Sequence, residues 1–142
     1  MYRHILITTD GSELAEHGVA HGLALAKSLG AKVSVIFVVE PFAEMTGRFL
    51  EAVARYVELR KEQATSVLDR VANAAKEADV SCETIQVENA QPHQGIIAAA
   101  EDKGCDLIAM SSHGRSGLSK LLIGSVTNKV LTLAETPVLV FQ

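Results

Sequence analysis

The sequence predicts an α/β architecture: a doubly wound sheet of five parallel strands in the order 3-2-1-4-5, with four helices. Three observations lead there. Strand-like and helix-like patterns alternate along all 142 residues, which is the signature of βαβ units. The second strand pattern, Lys32 to Val39, is nearly continuous in apolar residues, as in strands covered on both faces. Polar turns rich in Gly and Ser follow the first and fourth strand patterns, at the sheet edge where ligands collect in such folds.

His4 to Thr9 (HILITT) reads as the first strand. Asp10, Gly11 and Ser12 make the turn after it. Glu13, three residues past Asp10, suggests a capping pair with Asp10 as N-cap of the first helix. That helix runs to about Leu29, with Leu14, Val19, Leu23, Leu25 and Ala26 on one broad face and Gly30 as a left-handed C-terminal cap. The second strand follows and stops at Pro41. The segment from Phe42 to Gly47 gives no clear pattern. A long helix is expected from about Arg48 to Ala78, with Leu50, Val53, Val57, Ala64, Val67, Leu68, Val71, Ala74, Ala75 and Ala78 at steps of three and four. Ser81 to Val87 alternates polar and apolar residues, the mark of a strand with one wet face or an edge position. Pro92 opens a third helix that reaches Lys103, and Gly104 caps it. Cys105 to Met110 is the fourth strand. Ser125 is expected to N-cap a fourth helix ending near Glu135. Thr136 to Phe141 (TPVLVF) closes the sheet, with Pro137 tolerated near the strand start.

Length and composition set limits on function. A chain of 142 residues with 48% apolar content is expected to form a single domain, residues 1–142, with a sizeable core. The formal charge of −4, with no basic block and no aromatic ladder, argues against a nucleic-acid partner. No apolar run approaches the roughly 18 residues of a membrane span, and Met1 to His4 leads straight into a strand without signal-peptide anatomy. A cytoplasmic location is the expectation. Cys82 and Cys105 read as buried thiols, and a disulfide is not expected without secretory features.

The loop from Ser111 to Ile123 carries the candidate chemistry. A strand that ends in small residues and feeds a helix start can hold phosphate: glycine allows close backbone approach, and free amides at the helix start attract anions. Backbone amides near Gly114, Gly124 and Ser125 are candidates for cradling a polyphosphate. The Ser125 hydroxyl can bond phosphate or an attached metal ion, or it can simply cap its helix. Arg115 or Lys120 can screen charge at the mouth, beside Ser116 and Ser119. Asp10 can accept from a base amino group or a ribose hydroxyl, or cap the first helix. This is neither the P-loop pattern nor the dinucleotide fingerprint. His17 and His21 share a helix face at metal-chelating spacing, but no third ligand supports them, and no metal site is expected. His93 falls in a helix first turn, and His113 lies beside Gly114. No nucleophile elbow and no paired carboxylates support catalysis.

At these residues the chain resembles the universal stress proteins of the ATP-binding type. The family pattern Gly-x2-Gly-x9-Gly-Ser/Thr reads here as Ser111-x2-Gly114-x9-Gly124-Ser125. The opening ILITTDGS, the strand ending FVVE, the segment DLIAMSSHG and the final TPVLVF also resemble family landmarks, so the similarity spans the chain. The resemblance implies a Rossmann-like sheet with ATP at its carboxyl edge, with or without Mg or Mn on the phosphates. It implies that Asp10 and Val38 contact adenine, and that Thr8, Met110 and Ser111 surround the ribose and the first phosphate. Gly114, Arg115, Gly124, Ser125 and Val126 are implied to line the polyphosphate. A homodimer through antiparallel pairing of Val138 to Phe141 is also implied, since that edge needs cover.

Ser111 departs from the family glycine. A left-handed backbone there costs a non-glycine residue roughly 1–2 kcal/mol, enough to weaken ATP about tenfold. The serine hydroxyl can offset part of that through a bond to ligand. Three functions are therefore in play: a nucleotide-loaded regulator of the stress response, an interaction module of the same fold that no longer binds nucleotide, and a slow ATP hydrolase.

Overall fold

The computed structural model describes residues 1–41, 50–114 and 122–142. Five strands and four helices alternate: β1 His4–Thr8, α1 Glu13–Leu29, β2 Lys32–Val39, α2 Leu50–Glu77, β3 Cys82–Glu88, α3 Pro92–Lys103, β4 Leu107–Ser111, α4 Ser125–Leu133 and β5 Val138–Phe141. The strands form one parallel sheet in the order β3-β2-β1-β4-β5. That is the order expected from the sequence. β1 and β4 are neighbours on either side of the reversal, so both polar turns open on one crevice.

Each face of the sheet has its own apolar core. Ile5, Ile7, Val33, Val35, Phe37 and Val39 pack under α1 and α2. Leu6, Ile36, Ile108 and Met110 pack under α3 and α4. Alternation along β2 sends successive side chains to opposite cores, which explains its unbroken apolar run. β3 lies at the edge, and its alternating pattern leaves every second or third residue half-buried. Gly30 and Gly104 both take left-handed backbone, φ 65° and 68°, and terminate α1 and α3 as expected.

Three local expectations are corrected. The N-cap of α1 is Ser12, not Asp10: Ser12 Oγ accepts from the Ala15 amide at 3.2 Å, and Asp10 Oδ1 instead accepts from the Ser12 amide at 3.0 Å. Two acceptors in series thus shape the turn, and the helix begins two residues later than the Asp10–Glu13 spacing suggests. The N-cap of α4 is Gly124, and Ser125 is the first helical residue. The buried face of α1 centres on Ala15, Gly18, Val19, Gly22, Leu23 and Ala26, while Leu14 and Leu25 lie at its margins. Small residues dominate because the helix sits close to the sheet. A Cβ on Gly22 would lie 2.6 Å from Ile7 Cδ1, and Ile7 is fully buried with no room to retreat. Gly22→Val is expected to lower stability by about 2–3 kcal/mol through overpacking, outweighing the modest helix-propensity gain over glycine. A urea midpoint equal to or above wild type would contradict this.

At the amino-terminal end of the sheet a polar network is fully bonded. His4 Nε2 and Ser34 Oγ are 2.7 Å apart, Ser34 Oγ donates to Glu83 Oε1 at 3.0 Å, and Lys103 pairs with Glu83 at 3.3 Å. Burial, helped by the Lys32 charge, holds the His4 imidazole below its ordinary pKa. Cys105 is buried and Cys82 half-buried, and neither is in a disulfide. Burial, then the Asp106 and Glu83 charges, push the Cys105 thiol up to about 11, so it stays a protonated, inert packing group.

Candidate functional site

The carboxyl edge of the sheet carries a cavity of about 640 Å3, within the usual range for small-molecule sites. Its position follows from the topology. β1 and β4 end side by side, and their following turns diverge to opposite faces of the sheet. Thr8 and Asp10 reach it from the end of β1, and Val38 from β2. Met110, Ser111 and Gly114 reach it from β4 and the turn beyond, and Gly124, Ser125 and Val126 from the start of α4. Nine of the ten residues named from the sequence therefore line one space. The tenth, Arg115, lies outside the described residues, as do Ser116, Ser119 and Lys120.

Close packing explains the two glycines. Neither is in the left-handed region: among the described glycines, positive φ occurs at Gly11, Gly30 and Gly104. What Gly114 provides is space. A Cβ there would lie 2.5 Å from Asp10 Oδ2, so the Asp10 carboxylate lies directly across the Gly114 backbone. Gly124 packs on the same turn, where a Cβ would meet the Ser112 carbonyl oxygen at 3.2 Å and His113 Cα at 3.4 Å. The turn after β1, the turn after β4 and the start of α4 thus touch one another.

The hydrogen bonds revise the cradle. The Gly124 amide donates to the Ser112 carbonyl at 2.7 Å, so it is already engaged and is no longer a candidate phosphate donor. The first intrahelical bond of α4 runs from the Asn128 amide to the Gly124 carbonyl at 2.9 Å. The Ser125, Val126 and Thr127 amides therefore precede the helical ladder, and among the described residues no side-chain cap is seen at this helix start. By contrast, Ser12 caps α1. A helix start at the wall of a cavity attracts negative charge.

The strain expected at Ser111 is absent. Ser111 ends β4 in register with Phe141, and among the described non-glycine residues only Asp79 has positive φ. Its hydroxyl donates to the His113 carbonyl at 2.9 Å, which shapes the turn. A serine is accommodated here at no backbone cost.

Three contributions, from Thr127, Tyr56 and Arg60, went unseen in the sequence, and His113, singled out there as a loop histidine beside Gly114, takes a definite place. Thr127, buried at 3% exposure, donates from Oγ1 to the Ser111 carbonyl at 2.9 Å and ties α4 to the end of β4. His113 Nδ1 is 2.9 Å from Ser112 Oγ, while its buried Nε2 has no partner among the described residues. Tyr56 and Arg60 of α2 also line the cavity. His17 and His21 are exposed on α1, and His21 stacks edge-on to Phe141 at 5.2 Å. No His/Cys/Asp/Glu cluster suited to a metal occurs among the described residues.

Comparisons with known proteins place this arrangement. Universal stress protein MJ0531 of Methanocaldococcus jannaschii is 36% identical over 145 residues, covering 100% of this chain and 83% of that protein. The structure of universal stress protein UspA from Lactobacillus plantarum superposes with a TM-score of 0.89 over 99% of this chain and 98% of that one, at 20% identity, a likeness of fold. Two further structures share the fold: a universal stress protein in complex with cAMP (TM-score 0.75, 22% identity, 99% and 97% covered) and one from Archaeoglobus fulgidus in complex with dAMP (TM-score 0.67, 19% identity, 99% and 98% covered). The universal stress protein family model matches residues 1–142 from end to end. Among the described residues no helix is long and apolar enough to cross a membrane. Sheet order, crevice and sequence similarity converge: the chain belongs to the universal stress protein family.

Proposed function

We propose that this protein binds an adenine nucleotide, ATP foremost, in the crevice at the carboxyl edge of its sheet, and serves as a nucleotide-loaded regulator in the stress response. One observation carries the reading: the Asp10 carboxylate lies across Gly114, beside a helix start whose Ser125, Val126 and Thr127 amides precede the helical ladder. A hydrogen-bond acceptor for the nucleoside and a donor set for phosphate thus face one space. Asp10 and Val38 would hold the adenine, and Thr8, Met110 and Ser111 the ribose. Gly114, Ser125 and Val126, with Arg115, would line the phosphates, and Gly124 would keep the space between them open. Mg or Mn would ride on the phosphates rather than on a protein site. The complexes of two relatives with cAMP and dAMP support the ligand class.

The reading extends to a cytoplasmic single-domain protein and a homodimer. Among the described residues β5 is an edge strand paired to β4 alone, and Leu131, Leu133 and Leu139 are exposed around it. A second copy added along Val138–Phe141 would cover that edge.

Equilibrium dialysis against ATP and ADP tests the binding. Retention at or below millimolar ligand is expected, and none at millimolar concentration rejects the reading. Mass spectrometry of small molecules released by acid denaturation then identifies what the protein carries.

A further inference from the structure

The wall of the cavity built by α2 has no part in the reading above. Tyr56 and Arg60 stand four residues apart on that helix, on one face, and both line the cavity. Arg60 is the deeper, 9% exposed, although arginine is rarely buried unless its charge is held. Phe37 and Gln63 help to hold its guanidinium in place. Its central carbon lies 5.0 Å from the ring centroid of Phe37, which is fully buried. Its Nη1 donates to Gln63 Oε1. Gln63 Nε2 in turn lies 3.3 Å from the Cβ position of Gly11, the residue after Asp10. A planar cation is thus seated on a ring and bonded to an amide that packs beside the turn that carries Asp10.

We propose that Arg60 is a specificity-determining residue of this cavity, donating to the nucleoside half of the ligand beside the Asp10 acceptor. The inference rests on the adenine-nucleotide reading. Topology places Arg60 at that half. It arrives from α2, which packs on β2 and β3, while the α4 amides arrive from beyond β4, and β1 lies between them. The discrimination lies at one edge of the base. At the edge that carries N7, adenine sets its amino donor next to a ring-nitrogen acceptor, so a carboxylate and a guanidinium lining the same cavity satisfy both. At that same edge guanine presents two adjacent acceptors, O6 and N7, and sets an oxygen against the Asp10 carboxylate.

Isothermal titration of adenosine, ATP and GTP into wild type, R60M and R60K tests this. R60M is expected to weaken adenosine and ATP by the same factor, about tenfold, the worth of a hydrogen bond to a charged group, and to narrow the preference for ATP over GTP. R60K keeps the charge but loses the planar fork, and is expected to show the same parallel loss at smaller size. Should R60M fail to fold, the R60K titrations decide between the outcomes. A loss confined to ATP, with adenosine unchanged, would make Arg60 a phosphate contact and overturn the proposal. Equal losses for ATP and GTP would reduce Arg60 to scaffold and overturn it too, as would no loss at all. A wild type that binds none of the three overturns the adenine reading along with this one.

Discussion

Gly124→Val is expected to lower ATP affinity by about a hundredfold or more, roughly 2.7 kcal/mol, while leaving the fold in place. Nothing about backbone conformation forbids valine here, since Gly124 has φ −59°. The obstacle is the backbone in front of it. A Cβ would press on the Ser112 carbonyl oxygen at 3.2 Å and on His113 Cα at 3.4 Å. Neither is the end of a flexible side chain, and the Ser112 carbonyl also accepts the Gly124 amide. Two further methyl groups must push α4 and the turn apart, or project into the space between Gly114 and the α4 amides. Either result removes the anion geometry, because amides act on phosphate only at hydrogen-bond distance. Stability falls by less, because the strain is at the sheet edge and α4 keeps its buried Thr127 and Val130. Titration of ATP, paired with a urea melt, checks both halves. Unchanged affinity would remove the start of α4 from the site.

The contrast between Gly124 and Arg60 shows what a linear reading can reach. Strand identity was legible because burial on two faces leaves an uninterrupted apolar run in β2, and edge exposure leaves alternation in β3. The crevice was legible because parallel order and right-handed crossovers leave few topologies. Helix starts were less so. Asp10 and Ser12 are both good caps two residues apart, and only the bond from the Ala15 amide to Ser12 Oγ chooses between them. The role of Gly114 depends on a side chain 104 positions earlier, a contact that no local pattern encodes. Arg60 did leave a trace. The apolar steps along α2 jump from Val57 to Ala64, two turns with no member between, and Arg60 fills that gap on the buried face. An arginine at a vacant core position signals a cation with a seat, but its partners, Phe37 and Gln63, appear only once β2 and α2 pack together.

That seat yields the largest expected effect on stability. Phe37 is fully buried in the core beneath α1 and α2, packs near Gly11 and carries the Arg60 guanidinium above its ring. Phe37→Ala is expected to cost about 3–5 kcal/mol, since the middle of a two-sided strand cannot collapse to fill the void. With total stabilities of about 5–15 kcal/mol for domains of this kind, the variant would stand near the unfolding threshold, and thermal or urea melting reads the loss directly. Phe37→Leu separates the two roles of the ring. Leucine restores most of the volume, so the cost should fall to about 1–2 kcal/mol. It offers no π face, so Arg60 loses an attraction worth about 0.5–2 kcal/mol. If the ring serves only as filling, Phe37→Leu binds adenosine as wild type does. If it fixes the guanidinium toward the nucleoside, adenosine and ATP affinities drop together in a folded protein, and combining Phe37→Leu with R60M adds little to either single loss, because both remove one interaction.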